Sequence, residues 1–200
     1  EPAPDGMLDA GGAHEDADVR SADLSDRRLD NLELTRCALS AVQLTGSQLR
    51  GSTWRDVRLV ECELSGARLS STTLSRVEVH RSRAIGMVLA DSAVVHARFV
   101  ECKLDGANFR LVSLEQCVFE GCSLVEADFG GATLRKVAFD GCDLTRADFT
   151  GVECEHTSLR GSTVEAVRGV ASLRGAVVSQ DQVLPLALSA FTTLGFVVDD

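Results

Sequence analysis

Stepping by five residues from Val19 meets an apolar side chain at every stop. Val19, Leu24, Leu29, Leu34, Leu39, Leu44, Leu49 and Trp54 open the series; Phe139, Leu144, Phe149, Cys154, Leu159 and Val164 close it. Of these 30 consecutive positions 17 are Leu, 6 Phe and 4 Val, and the frame never slips. Neither the 3.6-residue period of a helix nor the two-residue period of a strand can hold that register. Two residues before each centre sits a small side chain, Ala at 8 positions, Cys at 6, Val at 6, Ser at 5 and Thr at 2, with Arg27, Leu32 and Met87 as exceptions. Small residues there mean that successive turns of chain enclose a narrow interior. Two residues after the centre Gly recurs ten times, from Gly46 to Gly161, as a corner with an open backbone requires. The remaining positions carry Asp, Glu, Arg, Ser and Thr and read as a solvated wall.

Segments such as Ala107-Asn108-Phe109-Arg110, Ala127-Asp128-Phe129-Gly130-Gly131 and Ala147-Asp148-Phe149-Thr150-Gly151 resemble the A(D/N)LXX signature of the pentapeptide-repeat family. The resemblance covers roughly residues 17–166. It implies an all-β solenoid, a right-handed quadrilateral β-helix in which four pentapeptides make one square coil. The sequence carries its own check on that coil. Between Phe99 and Phe149 the centres alternate Phe and Leu. A 20-residue coil therefore stacks Phe99, Phe119 and Phe139 on one side and Phe109, Phe129 and Phe149 on the opposite one, whereas a 15-residue coil would put Leu over Phe in every column. Thirty pentapeptides give about seven and a half coils, a rod roughly 36 Å long at the usual strand spacing.

A stack of coils has two open ends. Residues 1–16 hold five acids and no Lys or Arg, and are expected to be a flexible, loosely draped segment. Residues 167–200 are expected to form a cap. Ser179 followed by Gln182 resembles a capping box, and a helix should run over roughly 180–194, with a break near Pro185 and Gly195 as its C-cap. Val183, Leu184, Leu186, Leu188, Phe191 and Leu194 surround most of that helix, and Phe196-Val197-Val198 reads as a short strand. A helix apolar nearly all round must be covered. The expectation is that this segment both plugs the last coil and joins two rods as a homodimer at a two-fold axis.

Composition removes most catalytic readings. All seven Cys lie in register with the core, no Cys-x-x-Cys occurs, and buried free Cys acts as a small hydrophobe. His14, His80, His96 and His156 show no ligand spacing and read as solvated wall residues. No phosphate-binding, dinucleotide-binding or nucleophile-elbow motif is present. The expectation is a non-enzymatic protein with no cofactor and no metal. Nothing approaches the roughly 20 apolar residues of a bilayer span, no membrane association is expected, and the odd cysteine count favours a reducing, cytoplasmic setting.

The family includes acidic dimeric rods that imitate DNA, bind type II topoisomerases such as DNA gyrase, and confer fluoroquinolone resistance. Ala171-Ser172-Leu173, Gly175-Ala176 and Asp181-Gln182 are similar in layout to the mycobacterial member of that group. The net charge of −10 agrees, but it is unevenly spread. Residues 17–98 hold 10 acids and 12 bases, and residues 99–166 hold 12 acids and 6 bases. The candidate contacts for a basic partner are Glu115, Glu120, Glu126, Asp128, Asp140, Asp143, Asp148, Glu153 and Glu155. The arginine-bearing half is not basic enough for direct nucleic-acid binding. Two functions follow: a DNA-mimicking modulator of a topoisomerase, or a protein-interaction scaffold with an unrelated partner. No loop interrupts residues 17–166, so no loop of the kind some family members use for gyrase is present.

Overall fold

A side chain repeated every five residues can stay buried only if the chain turns a corner between repeats. The computed structural model, which describes residues 8–193, shows how. The second residue after each centre is left-handed, with φ at 54° for Arg36, 56° for Asp56 and 65° for Gly46, and all 21 non-glycine residues of positive φ occupy this position. A left-handed residue other than Gly costs about 1–2 kcal/mol. The coil recovers the cost by pairing each corner amide with the next coil: Arg36 N–H donates to Arg55 O at 2.9 Å and Glu61 N–H to His80 O at 3.0 Å.

Every strand pair is parallel and offset by 20 residues, as in Leu34 against Trp54, Val79 against Phe99 and Phe119 against Phe139. The fold is therefore a parallel β-solenoid with four pentapeptides per coil, as the stacked Phe positions require. The wall centred on Leu34, Trp54 and Leu74 (the first) and the wall centred on Leu39, Leu59 and Val79 (the second) carry regular strands, merged across their corner at Thr53–Val60 and Thr73–His80. The third wall (Leu44, Leu64, Leu104) and the fourth (Leu49, Leu69, Phe109) are held by isolated bridges such as Lys103 to Ser123 and Asn108 to Asp128. Between the third and fourth walls each coil closes a tight turn, as in Ala67 N–H to Leu64 O at 3.0 Å and Ala107 N–H to Leu104 O at 3.0 Å.

The interior is one continuous apolar column. Phe99, Phe119 and Phe139 stack with centroids 4.8 and 5.0 Å apart, and Phe109, Phe129 and Phe149 with 4.8 and 5.1 Å. The two stacks meet edge to face, Phe109 on Phe119 at 6.0 Å and Phe129 on Phe139 at 5.5 Å, so every ring from Phe109 to Phe149 satisfies both preferred aromatic geometries. Further toward the N-terminus the centres include Ala84, and the column there leaves an apolar cavity of about 20 Å³ beside Met87, Leu64 and Leu104.

The ends differ from expectation in five respects. The first coil begins before residue 17: Leu8 is buried, and Ala13–Glu15 forms a strand paired with Glu33–Thr35. His14 is a first-wall centre rather than a solvated wall residue, and its Nε2 is buried with no hydrogen-bond partner. The five-residue frame thus extends one centre further than the apolar series shows. At the other end Val167 is buried and Val177 still pairs with Ser158, so coil pairing continues past 166. The capping box forms, but it heads a 3-10 turn at Gln180–Gln182 that leads into helix α1, Val183–Thr193. Pro185 does not break α1, because it lies in the first turn, where its missing N–H has no partner to lose. Leu194, Gly195 and the expected strand at Phe196-Val197-Val198 lie outside the described residues.

Candidate functional site

The cysteines, which could carry chemistry, are occupied structurally. Cys102, Cys122 and Cys142 lie one above another at the inward small position, each 1–2% exposed. Their thiols donate to carbonyls of the preceding coil: Cys102 Sγ to Val79 O at 3.3 Å, Cys122 Sγ to Phe99 O at 3.4 Å and Cys142 Sγ to Phe119 O at 3.3 Å. The neighbouring Cys102 and Cys142 thiols, and then burial, push the Cys122 thiol above its usual range. Burial pushes Cys117 up to about 11. Thiols buried away from water and held on backbone carbonyls are poor nucleophiles and poor ligands. Among the described residues no group of three or more His, Cys, Asp or Glu side chains is placed to hold a metal ion. Serine and threonine serve the same purpose as cysteine in other coils, with Ser92 Oγ on Leu69 O at 3.0 Å and Ser162 Oγ on Phe139 O at 3.1 Å.

What is left to act is the outside of the rod. The nine candidate acids do not share one face. Glu115, Glu153 and Glu155 lie on the first wall, Glu120 and Asp140 on the second, Glu126 and Asp143 on the third, and Asp128 and Asp148 on the fourth, as the 20-residue register dictates. Five of them are held by arginines. Glu126 pairs with Arg146 at 2.8 Å, Asp128 with Arg110 at 3.2 Å, Asp148 with Arg168 at 3.3 Å and Glu155 with Arg135 at 3.5 Å, while Arg98 reaches Glu120. Burial opposes ionisation of Asp148, but the Thr150 hydroxyl and amide, together with Arg168, hold its carboxyl below the ordinary range. Glu115, Asp140, Asp143 and Glu153 have no cation partner among the described residues, and neither do Glu101, Asp105 and Glu165 nearby. All seven lie on the first three walls or their corners. The acidic half is thus a collar with a gap on the fourth wall.

These ion pairs belong to a general device the sequence reading missed. In a parallel in-register stack, identical charges would sit about 4.8 Å apart. Several columns avoid this by alternating sign every 20 residues, as in Asp16, Arg36, Asp56 and Arg76, or Glu61 and Arg81, whereas Asp128 with Asp148 and Arg83 with Lys103 stack like on like. Arg36 pairs with Asp16 at 2.7 Å and also reaches Glu15, and Arg81 pairs with Glu61 at 3.2 Å. The alternation is legible once the coil length is known.

The cap residues separate in the same way. Leu186 packs against the core, whereas Val183, Leu184, Leu188 and Phe191 are 57%, 67%, 55% and 51% exposed. Leu194 and Phe196 lie outside the described residues. Gln182 locks the cap down: its Nε2 donates to Leu159 O and Ser162 O, both at 2.6 Å, while its Oε1 accepts from Ser179 N–H at 2.8 Å. No described helix is long and apolar enough to cross a membrane.

A family model described as "Pentapeptide repeat region" matches residues 32–109 and 92–168, the stretch that forms the coils. The chain belongs to the pentapeptide-repeat family. Among solved structures, this pentapeptide-repeat protein is similar to a trypsin-treated variant of QnrB1, a plasmid-mediated fluoroquinolone resistance protein. The two share 18% identity over 98% of this chain and 96% of that one, with a TM-score of 0.54. It is also similar to HetL, involved in heterocyst differentiation regulation in Nostoc sp. strain PCC 7120, at 19% identity over 83% of this chain and 91% of that one, with a TM-score of 0.42. At these identities the likeness is one of fold. No curated protein matches the sequence.

Proposed function

We propose that this pentapeptide-repeat protein is a non-enzymatic binding rod that recognises a basic protein surface with the acidic collar of its C-terminal coils. The observation that carries the proposal is the set of carboxylates without cation partners in this half, Glu101, Asp105, Glu115, Asp140, Asp143, Glu153 and Glu165, where residues 99–166 hold 12 acids against 6 bases. Asp23, Asp26, Glu33 and Asp91 of the other half also lack a cation partner among the described residues, but there residues 17–98 hold 12 bases against 10 acids. Carboxylates already paired along the coils have little left for a partner. Unpaired ones on a rigid wall keep their full charge and are placed without further ordering cost.

The specific partner we propose is the DNA-binding surface of a type II topoisomerase such as DNA gyrase, which is built to receive closely spaced negative charge. The likeness in fold to QnrB1, named as a fluoroquinolone resistance protein, is consistent with that reading. Val183, Leu184, Leu188 and Phe191 of α1 would join two rods end to end and bring two acidic collars together at the centre of a homodimer. The test is a gyrase supercoiling reaction with and without a fluoroquinolone. Inhibition or drug protection at low micromolar protein is expected, and neither effect at tens of micromolar rules the topoisomerase out. A scaffold with an unrelated partner is the second reading. It is favoured by the arginine pairing of Glu120, Glu126, Asp128, Asp148 and Glu155, which breaks any continuous negative stripe. Light scattering at micromolar concentration tests the dimer separately; a monomeric mass removes it.

A further inference from the structure

The half of the rod opposite the acidic collar carries a surface of the other sign. Arg27 occupies an inward small position, where the same column later holds Ser47, Ala67, Ala107 and Ala127. It is nevertheless exposed and lies beside exposed Arg28 at the corner where the third wall meets the fourth. The coil has given up a core position to a surface cation. On the fourth wall of the next two coils follow Arg50 and Arg68, both exposed. The bridges Arg28 to Gln48 and Gln48 to Arg68 set Arg28 and Arg68 two coils apart in one column. Arg50 stands between them two residues along the chain, so its Cα is roughly 8 Å from each.

Most arginines of this protein are neutralised by a carboxylate, usually one coil away. Arg27, Arg50 and Arg68 are not: among the described residues none of their guanidinium groups has an acidic partner, although the Arg50 backbone N–H donates to Asp30 Oδ1 at 3.0 Å. Arg28 is held only by Asp30 at 3.8 Å, at the limit of an ion pair. The four guanidinium groups share the patch with only two carboxylates, Asp26 and Asp30, so they repel one another, and a carboxylate-bearing ligand relieves that repulsion while using their forked donors.

We propose that the N-terminal part of the fourth wall, formed by Arg27, Arg28, Arg50 and Arg68, docks a short acidic peptide segment of a partner protein. The dimensions favour carboxylates on an extended peptide over a nucleic acid. The basic area spans three coils, about 14 Å along the rod, and it does not continue: the fourth wall beyond it carries Asp91 and then the paired Arg110–Asp128 and Arg168–Asp148, so a longer polyanion finds no further run of free cations. All the Phe side chains of the coils and Trp54 are buried, so no aromatic faces outward there for a base to stack on. The site is separate from the acidic collar, so the rod would engage partners of opposite charge at its two ends.

The probe is a fluorescein-labelled ten-residue polyglutamate peptide, titrated with the full-length protein at low salt and read by anisotropy. Saturable binding is expected, weakened at least tenfold by the triple variant Arg27→Gln/Arg50→Gln/Arg68→Gln. A control triple, Arg55→Gln/Lys103→Gln/Arg160→Gln, removes the same charge from the other three walls and should change affinity less than threefold. Because all six side chains lack an acidic partner, both variants should keep the wild-type melting temperature. Absence of saturable binding overturns the proposal. So does equal weakening by the two variants, which reduces the effect to net charge. Tighter binding of a ten-nucleotide oligothymidylate through the same arginines would also overturn it in favour of nucleic acid.

Discussion

At the scale of the residue, the coil imposes two local costs that substitution can expose. Leu111 has φ 56° and is 59% exposed, so it combines a left-handed backbone with an unburied apolar side chain. Its side chain lies over the corner of the next coil, where a Cβ on Gly131 would stand 2.8 Å from Leu111 Cδ2. Leu111→Gly removes the left-handed penalty and should stabilise the rod by about 1 kcal/mol, read as a higher urea midpoint at unchanged slope. Ala84 is the opposite case, a centre too small for its column. Ala84→Val adds two methyl groups to the cavity of about 20 Å³ beside Met87 and should gain about 1 kcal/mol by burial. If the midpoint falls instead, the neighbouring leucines are already in contact across the gap.

At the scale of the element, stability depends on how each coil closes on the next, and the last coil depends on one residue. Gln182, 2% exposed, satisfies two carbonyls that no further coil is there to meet. Gln182→Ala leaves Ser162 O unpaired in a buried setting and Leu159 O with only the Ser162 N–H at 3.2 Å, at a cost of about 1–3 kcal/mol. Hydrogen exchange should show Val183–Thr193 and the Ser158–Val177 pairing losing protection first, with the Phe99–Phe149 coils unchanged. Loss spread evenly along the rod would mean that the cap and coils unfold as one unit. The Ser179–Gln182 pattern marked this site in the sequence, but as a helix start; its role as a plug needed the carbonyls of Leu159 and Ser162, which are far away along the chain.

At the scale of the whole molecule, the charge ladder makes the rod sensitive to acid. The Arg36 hydrogen bond to Asp16, the Arg20 hydrogen bond to Asp18 and the Arg76 hydrogen bond to Asp56 hold these carboxyls below their usual 3.8. The folded chain therefore binds fewer protons than the unfolded chain in this range. The resulting stabilisation is complete above about pH 4 to 5 and is lost as pH falls through the lowered folded values. The melting temperature should be level from pH 7 to 5 and decline below 4. Asp16→Asn/Asp56→Asn should flatten that decline, and 1 M salt should shrink it, because these pairs are exposed and screened. An unchanged profile in the double variant would assign the acid sensitivity to other groups.

The sequence by itself determined the coil. A strict five-residue frame, together with Phe above Phe at 20-residue steps, leaves no other way to bury the apolar positions, so wall, corner and core were all legible before any coordinates. His14 escaped because its side chain is polar although its position is a centre, and the frame outweighs the chemistry of one residue. Tertiary structure alone decided the neighbours of each charge. Glu126 and Arg146 are far apart in sequence and in contact in space, so net charge counted along the chain could not separate neutralised carboxylates from available ones. The same register that stacks the phenylalanines spreads the nine candidate acids over four walls, and it leaves Arg27, Arg50 and Arg68 together on one wall without a carboxylate to hold them.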